Sequence, residues 1–258
     1  VVAARNEEST LPQLLKRLNQ QSYPQEQFEI IIINDRSTDQ TENVLQSAAK
    51  SQLNMQIVSI IETELGWAPK KWALQCGIAE SKGEIILQTD ADCRPNDHWV
   101  QTIVNAFSDP GIGFVMGPGP FKKGDSSLDD LFELDSLAQD SFSAAGLAQG
   151  MVFSCIGRNM AFRKMVYEEV SGYEEISHYT SGDDDLLMQK IHSSTEWKIR
   201  FLHSEKAVVE SNPPASLTQF IHQRLRFASK GLSYYNLKTS KSLKVVLPFL
   251  YATNIIIV

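Results

Sequence analysis

The chain has 258 residues, 42% of them hydrophobic, with 24 Lys and Arg against 31 Asp and Glu and a formal net charge of −7 at pH 7. That length and apolar content suit one large or two small globular domains, and the acidic balance excludes general nucleic-acid binding. Three widely spaced cysteines, Cys76, Cys93 and Cys155, match neither a disulfide framework nor a zinc site, and point to reducing, cytosolic surroundings.

The chain opens at Val1 in what reads as mid-strand, with no signal-peptide pattern, as expected of a piece of a longer protein. Val1 to Ala4 is a short apolar strand leading through Arg5-Asn6-Glu7-Glu8-Ser9 into a helix whose Leu11, Leu14, Leu15 and Leu18 follow the helical period, with Ser9 as its N-cap. Phe28 to Ile33 is a second buried strand, and the polar turn Asn34 to Asp39 opens a helix running to about Lys50. Met55 to Ile61 gives a third strand, Lys70 to Ser81 a helix and Glu84 to Thr89 a fourth strand. This alternation predicts an α/β fold, a mainly parallel sheet with helices on its faces and Rossmann-like crossovers. Asp97 to Phe107 reads as helix, Gly113 to Met116 as strand, and Gly117-Pro118-Gly119-Pro120 breaks the pattern as a boundary between halves. Leu128 to Phe142 suits a helix, Ser154 to Arg163 a loop entering a strand, and Ser216 to Lys230 a further helix.

No G-x-G-x-x-G follows the first strand and no G-x-x-x-x-G-K-[ST] occurs, which argues against a nicotinamide enzyme or a P-loop NTPase. Polar groups gather instead at three strand ends: Arg5 to Glu7, Asp35 with Asp39, and Asp90 with Asp92. Open α/β sheets bind ligands at such ends. Asp90 and Asp92 share one side of an extended chain, and two hard oxygen donors suit Mg²⁺ or Mn²⁺ and through it a diphosphate. The blander alternative is that these acids cap the helices that follow, which is the simpler account of Asp39. In Ser181-Gly182-Asp183-Asp184-Asp185 three adjacent acids repel, so at least one is expected to have a raised pKa. They serve either as a catalytic base or only as favourable charge at a helix N-terminus. Arg224 and Arg226 cannot share a helix face, so at most one of them reaches a phosphate.

These stretches together resemble the family 2 glycosyltransferases of GT-A fold, in particular the membrane-associated branch related to polysaccharide synthases. VVAARNEES resembles the strand that contacts the nucleotide, which implies roles for Ala4, Arg5 and Glu7. IIINDRSTDQT is similar to the family's Asp-Asp-Ser-Thr-Asp turn, with Asn34 replacing the first Asp, and implies Asp35 on the base or ribose. PKKWALQCGI resembles the Gly-Lys-x-x-Ala-Leu-Asn segment, with Lys70 at the family's lysine and Lys71 as the alternative register. TDADC is similar to the Asp-X-Asp metal motif, implying Asp90, Ala91 and Asp92 at the donor and a Mn²⁺ or Mg²⁺ held by Asp92 with Asp90. GRNMAFRK resembles the acceptor-side segment, implying Gly157 and Asn159. SGDDDLL stands where the family has Gly-Glu-Asp, which implies Asp184 as catalytic base and Asp183 beside it. QRLRF is similar to Gln-x-x-Arg-Trp, implying Gln223, Arg224, Arg226 and Phe227 at the diphosphate or acceptor.

The resemblance implies a metal-dependent inverting transfer from a nucleoside-diphosphate sugar, UDP before GDP, to a hydroxyl of a glycan or lipid-carrier acceptor. It implies one GT-A domain over 1–240, with a nucleotide-sugar half at 1–117 and an acceptor half at 118–240. Residues 241–258, with the run Leu243 to Val258 apolar except for Lys244, Thr253 and Asn254 and with Lys238, Lys241 and Lys244 clustered at its start, read as the start of a membrane-associated segment on a cytoplasmic flank, with a buried C-terminal element as the alternative. Competing readings are a sugar nucleotidyltransferase, which would want a Gly-rich basic loop after the first strand, and a non-catalytic sugar- or nucleotide-binding module. A haloacid-dehalogenase-type phosphatase needs a motif ending Asp-Gly-Thr, and Asp90-Ala91-Asp92-Cys93 is not that.

Overall fold

A computed structural model describes residues 1–50, 54–231 and 233–248. The first half alternates strand and helix: β1 (Val2–Ala4), α1 (Leu11–Asn19), β2 (Ile30–Asp35), α2 (Thr41–Ala49), β3 (Met55–Ile60), α3 (Pro69–Glu80) and β4 (Ile85–Gln88). Then follow β5 (Cys93–Pro95), α4 (Trp99–Ala106), β6 (Ile112–Met116), the long α5 (Ser127–Ala148), β7 (Met160–Arg163), α6 (Lys164–Glu169), α7 (Asp185–Ser194), β8 (Lys198–Phe201), β9 (Val209–Ser211), α8 (Leu217–Ala228) and α9 (Ser233–Asn236).

Two sheets carry the architecture. In one, β2 lies between β1 and β3 and is parallel to both, with Ile32 opposite Val2 on one side and Ile57 on the other. All six residues of β2 are buried, which explains the unbroken apolar run Ile30 to Ile33: a central parallel strand covered on both faces has no polar side until its end at Asn34 and Asp35. The other sheet has the order β4-β7-β6-β8. Here β6 and β8 are parallel and β7 runs against both β4 and β6, so β7 is the reversed strand of a mainly parallel arrangement. The amine of Val1 donates to the Leu87 carbonyl at 2.7 Å, which brings β1 alongside β4. A third, two-stranded pair joins β5 to β9.

The first helix departs from expectation at its start. Thr10, not Ser9, precedes Leu11, and no side chain caps the helix. Pro12 in the first turn supplies no N–H to be capped, and the Thr10 hydroxyl instead donates to the Glu7 carboxylate. The helix starts expected near 97 and 128 fall at Trp99 and Ser127, and Ser126 forms a capping box with Asp129. Residues 241–248 are helical, with Leu243 and Leu247 buried in the larger core cluster. The remainder of the expected membrane segment, 249–258, lies outside the described residues, and among those described no helix is long and apolar enough to cross a membrane.

Candidate active site

The ends of β1 and β2 are stitched together before any chemistry is considered. Asn6 adopts φ 57°, a left-handed conformation that asparagine tolerates better than most residues. Its backbone N–H donates to Ser37 Oγ at 3.1 Å, and its side-chain oxygen accepts from the Thr38 N–H at 2.8 Å. Glu7 N–H donates to Thr41 Oγ1 at 2.8 Å, while Glu8 and Asp39 exchange bonds with each other's turns. Asp39 thus works as a local cap: its carboxylate accepts from the N–H groups of Glu8 and Thr41. Asp35 points elsewhere, buried and paired with Arg36 Nε at 2.8 Å.

This rigid double turn forms one wall of a cleft of about 670 Å³. Ala4, Arg5, Glu7, Asp35, Lys70, Asp90, Ala91 and Asp92 line it, joined by Gln223 and Arg226 from α8. Ten of the residues expected at the site are therefore brought together from five chain segments. The cleft floor is acidic. Glu7 is raised in pKa by burial and by the nearby charges of Asp92 and Asp90. Asp92 is raised by burial, with Asp90 adding repulsion and Arg158 opposing it. Among the described residues Asp92 forms no ion pair.

Asp90, Asp92 and Cys93 bring ligand atoms within 4.8 Å of one another. The Cys93 thiol is buried, and burial pushes its pKa well up, so it stays protonated. The two carboxylates remain as an oxygen donor pair, of which Asp92 has no ion-pair partner among the described residues, a set that fits a hard divalent cation of the Mg²⁺ or Mn²⁺ type.

Behind the cleft lies the acidic turn. Lys70, at the start of α3, places its Nζ 2.8 Å from Asp90 Oδ1 and 2.8 Å from Asp183 Oδ2. Burial opposes its charge, but Asp183 and Asp90 outweigh burial and hold its pKa well up. Lys71, the next residue, turns away and is 1% exposed. Its ammonium donates to three carbonyls, Ile176 and Tyr179 at 2.8 Å and Ser181 at 2.9 Å. Lys70 thus faces the cleft, whereas Lys71 pins the loop that carries the acids. Gly182 holds φ +85°, where a Cβ would lie 2.5 Å from Leu186 Cγ, so that loop turns where only glycine fits.

The three acids do three different things. Asp183 is buried, bound by Lys70 and approached by Gln88 Nε2 at 3.4 Å. Asp184 precedes α7; its Oδ1 accepts from Asp185 N–H at 2.7 Å and its Oδ2 from Gly157 N–H at 3.0 Å. Asp184 is raised in pKa by burial, with Lys230 opposing and Asp185 adding to the rise. Asp185 is buried, paired with Lys230 at 2.7 Å and bonded by the Tyr234 hydroxyl.

Several expected residues do not face the cleft. Asn159 is completely buried, donating to the carbonyls of Pro118 and Ala207 at 2.7 Å each and accepting from Trp99 Nε1 at 2.9 Å. With those bonds made, it fastens the Gly-Pro-Gly-Pro turn to the core and cannot touch an acceptor; the expectation for Asn159 is corrected. Gly157 serves through its backbone, and a Cβ there would press on Asp184 Oδ2 at 3.2 Å. Arg224 pairs with Asp135 of α5 and lies over the Phe220 ring at 4.7 Å, whereas Arg226 lines the cleft. Phe227 is surrounded by cations, with Arg224, Arg226 and Lys230 within 5.9 Å of its ring, and does not line the cleft.

Sequence reasoning missed Phe121, Arg158, Gln219 and the 211–215 turn, all of which line the same cleft. Arg158 lies 4.7 Å over Phe121 and donates to the Ser211 hydroxyl. Its place beside Gly157 was the available signal. The 211–215 turn offered none, because it reaches the cleft through the pairing of β9 with β5.

The Glycosyl transferase family 2 profile matches residues 1–171. The chain belongs to that family. Among curated relatives it is 26% identical over 241 residues to a probable glycosyltransferase, YdaM, of Bacillus subtilis, covering 92% of this chain and 56% of the relative. It is 27% identical over 236 residues to a beta-monoglucosyldiacylglycerol synthase of Nostoc sp., covering 91% and 49%. The chain thus spans about half the length of these curated relatives. Among solved structures, the mannosyltransferase PcManGT of Pyrobaculum calidifontis, in complex with GDP-Man and Mn²⁺, superposes with a TM-score of 0.68 at 20% identity, over 98% of this chain and 67% of that one. With these neighbours the fold is GT-A.

Proposed function

We propose that this chain is the catalytic part of an inverting, metal-dependent glycosyltransferase that moves a sugar from a nucleoside-diphosphate sugar to a hydroxyl of a lipid-linked or glycan acceptor. The observation that carries the proposal is the double ion pair of Lys70, which holds the donor-side strand end, through Asp90, against the acidic turn, through Asp183, the residue next to the candidate base Asp184. Asp35, Arg5 and Ala4 take the nucleoside. Asp92 and Asp90 hold a Mg²⁺ or Mn²⁺, which when bound neutralises charge on the leaving diphosphate. Arg226 and Arg158 approach the same cleft as fixed cations and add hydrogen-bond donors for phosphate oxygens.

Asp184 is the base. Its Gly157 and Asp185 hydrogen bonds fix the carboxylate. It takes the proton from the acceptor hydroxyl as that oxygen bonds to the anomeric carbon and the bond to diphosphate breaks, the electron pair leaving with the phosphate. Attack from the face opposite the leaving group inverts the anomeric configuration. A positioned base of this kind contributes about 10²–10⁴-fold.

UDP is the favoured donor nucleotide, by the likeness of the motifs. A lipid acceptor is supported by the likeness to the Nostoc beta-monoglucosyldiacylglycerol synthase. A position at the cell membrane with the catalytic cleft facing the cytoplasm is supported by Lys238, Lys241 and Lys244 ahead of the apolar C-terminal residues.

The test is a thermal-shift series with UDP, GDP and their common sugar conjugates, each with Mn²⁺, Mg²⁺ or EDTA. Ligand at about 100 times its dissociation constant raises stability by roughly 2.7 kcal/mol. A shift with one nucleotide, lost in EDTA, is the expected result. Asp184→Asn should then retain that shift and lose transfer, and a variant with native turnover would remove the base assignment.

A further inference from the structure

Lys230 lies two residues beyond α8, yet its side chain is directed into the acidic turn. Nζ stands 2.7 Å from Asp185 Oδ1 and 3.7 Å from Asp184 Oδ1. The residue is 9% exposed. Tyr234 closes the other side by donating to the second oxygen of Asp185. Asp185 therefore has a partner on each oxygen and is fully engaged within the protein. We propose that Lys230 is a positioning residue for the catalytic acid: its ammonium, seated between Asp184 and Asp185, fixes the turn ahead of α7 and provides the counter-charge for the base. The proposal rests on Asp184 being that base.

The surroundings of Asp184 make the counter-charge necessary. Asp183 and Asp185 flank it with negative charge in the chain itself. Cys155, Tyr173 and Tyr234 also face it, and burial pushes each of their pKa values up, so they remain neutral. The cations nearby are Lys230 and, more remotely, Lys71, which is committed to three carbonyls. Lys70 is committed to Asp183 and Asp90. Removing Lys230 would leave a carboxylate withdrawn from water between two others, and such a group favours its neutral form. A neutral Asp184 cannot accept a proton. Lys230 also follows the helix whose Gln219, Gln223 and Arg226 line the donor cleft. The donor wall and the counter-ion of the base therefore belong to one segment, 217–230.

The experiment reads the carboxylate itself, so it needs no identified substrate. Side-chain carboxyl ¹³C resonances of aspartate are followed against pH in the full chain, with Asp184 assigned by the signal lost in Asp184→Asn. Lys230→Met should raise the Asp184 midpoint by at least about one pH unit, and Lys230→Arg should restore it, since an opposite charge within about 4–6 Å moves a carboxylate by 1–3 units. Asp185→Asn should do the reverse. It frees Lys230 for Asp184 and removes a repelling charge, so the midpoint falls. This second variant carries the test if Lys230→Met does not fold. A purely structural lysine would lower the melting temperature and leave the midpoint in place; an unmoved midpoint in the folded variants overturns the proposal. Turnover is then measured with the nucleotide sugar that gives the thermal shift. If Lys230 acts through the base, the acidic limb of the rate profile follows the NMR midpoint. A limb that stays put while the midpoint moves refutes Asp184 as base, not the ion pair.

Discussion

Individual side chains here are best judged by what their polar atoms touch. Asp140, on α5, is buried and accepts from Gly119 N–H at 2.9 Å. Burial pushes its carboxyl up to about 6, against a backbone hydrogen bond and Arg158 that pull it down. Its folded pKa is thus above its unfolded one. The folded protein binds the extra proton between about pH 4 and 6, and stability falls as pH rises through that window. Asp140→Asn keeps an acceptor for Gly119 and removes the charge, so it should stabilise the protein at pH 7, by up to about 2–3 kcal/mol, and flatten the acid side of the profile in urea melts. Asn159→Leu should do the opposite. It strands the Trp99 indole N–H and two carbonyls, and at about 1–3 kcal/mol for each buried unsatisfied group the loss should exceed 3 kcal/mol in the same melts. At this scale the acids of the cleft were legible, because a carboxylate at the end of an apolar run has few reasons to be there. The roles of Lys71 and Asn159 were not, since each is defined by carbonyls more than 40 residues away in the chain.

Elements differ in how firmly they are held. β2 is buried from end to end, whereas α8 has no buried residue at all. The helix rests on α5 through the Phe220 and Phe132 rings, 4.6 Å apart, and the Arg224–Asp135 pair. Phe220→Ala should therefore free α8 locally: its amide exchange should approach that of an open segment while protection in β2 is unchanged. Global melting should move little. Parallel strands and their helices could be read from periodicity, because each pattern is local. The insertion of β7 between β4 and β6, and the β5–β9 pair, could not. Strand order is a long-range property, and four-residue strands leave little periodic signal.

Across the whole molecule, Lys70 joins the β4 end to the acidic turn. It also occupies Asp90 Oδ1, an atom the metal would use. Lys70→Met should thus bind Mn²⁺ more tightly in the absence of nucleotide, seen as a larger metal-induced rise in melting temperature or a steeper loss of free Mn²⁺ signal in electron paramagnetic resonance titrations. Weaker binding would mean that the lysine organises the carboxylates instead of competing for them.

Lys70 and Lys71 sit side by side in the first turn of α3, and successive helical residues point about 100° apart. One reaches Asp90 at the end of β4, the other the Ser181 carbonyl in the loop before α7. On the proposed mechanism, the interval between leaving group and proton acceptor is therefore a gauge cut into a helix, not a position reached by a hinge. Replacing cleft-lining side chains can change which sugar is held. Changing the helical phase at 69–71 would throw the two ends of the gauge out of alignment together, and no adjustment of the lining could bring them back.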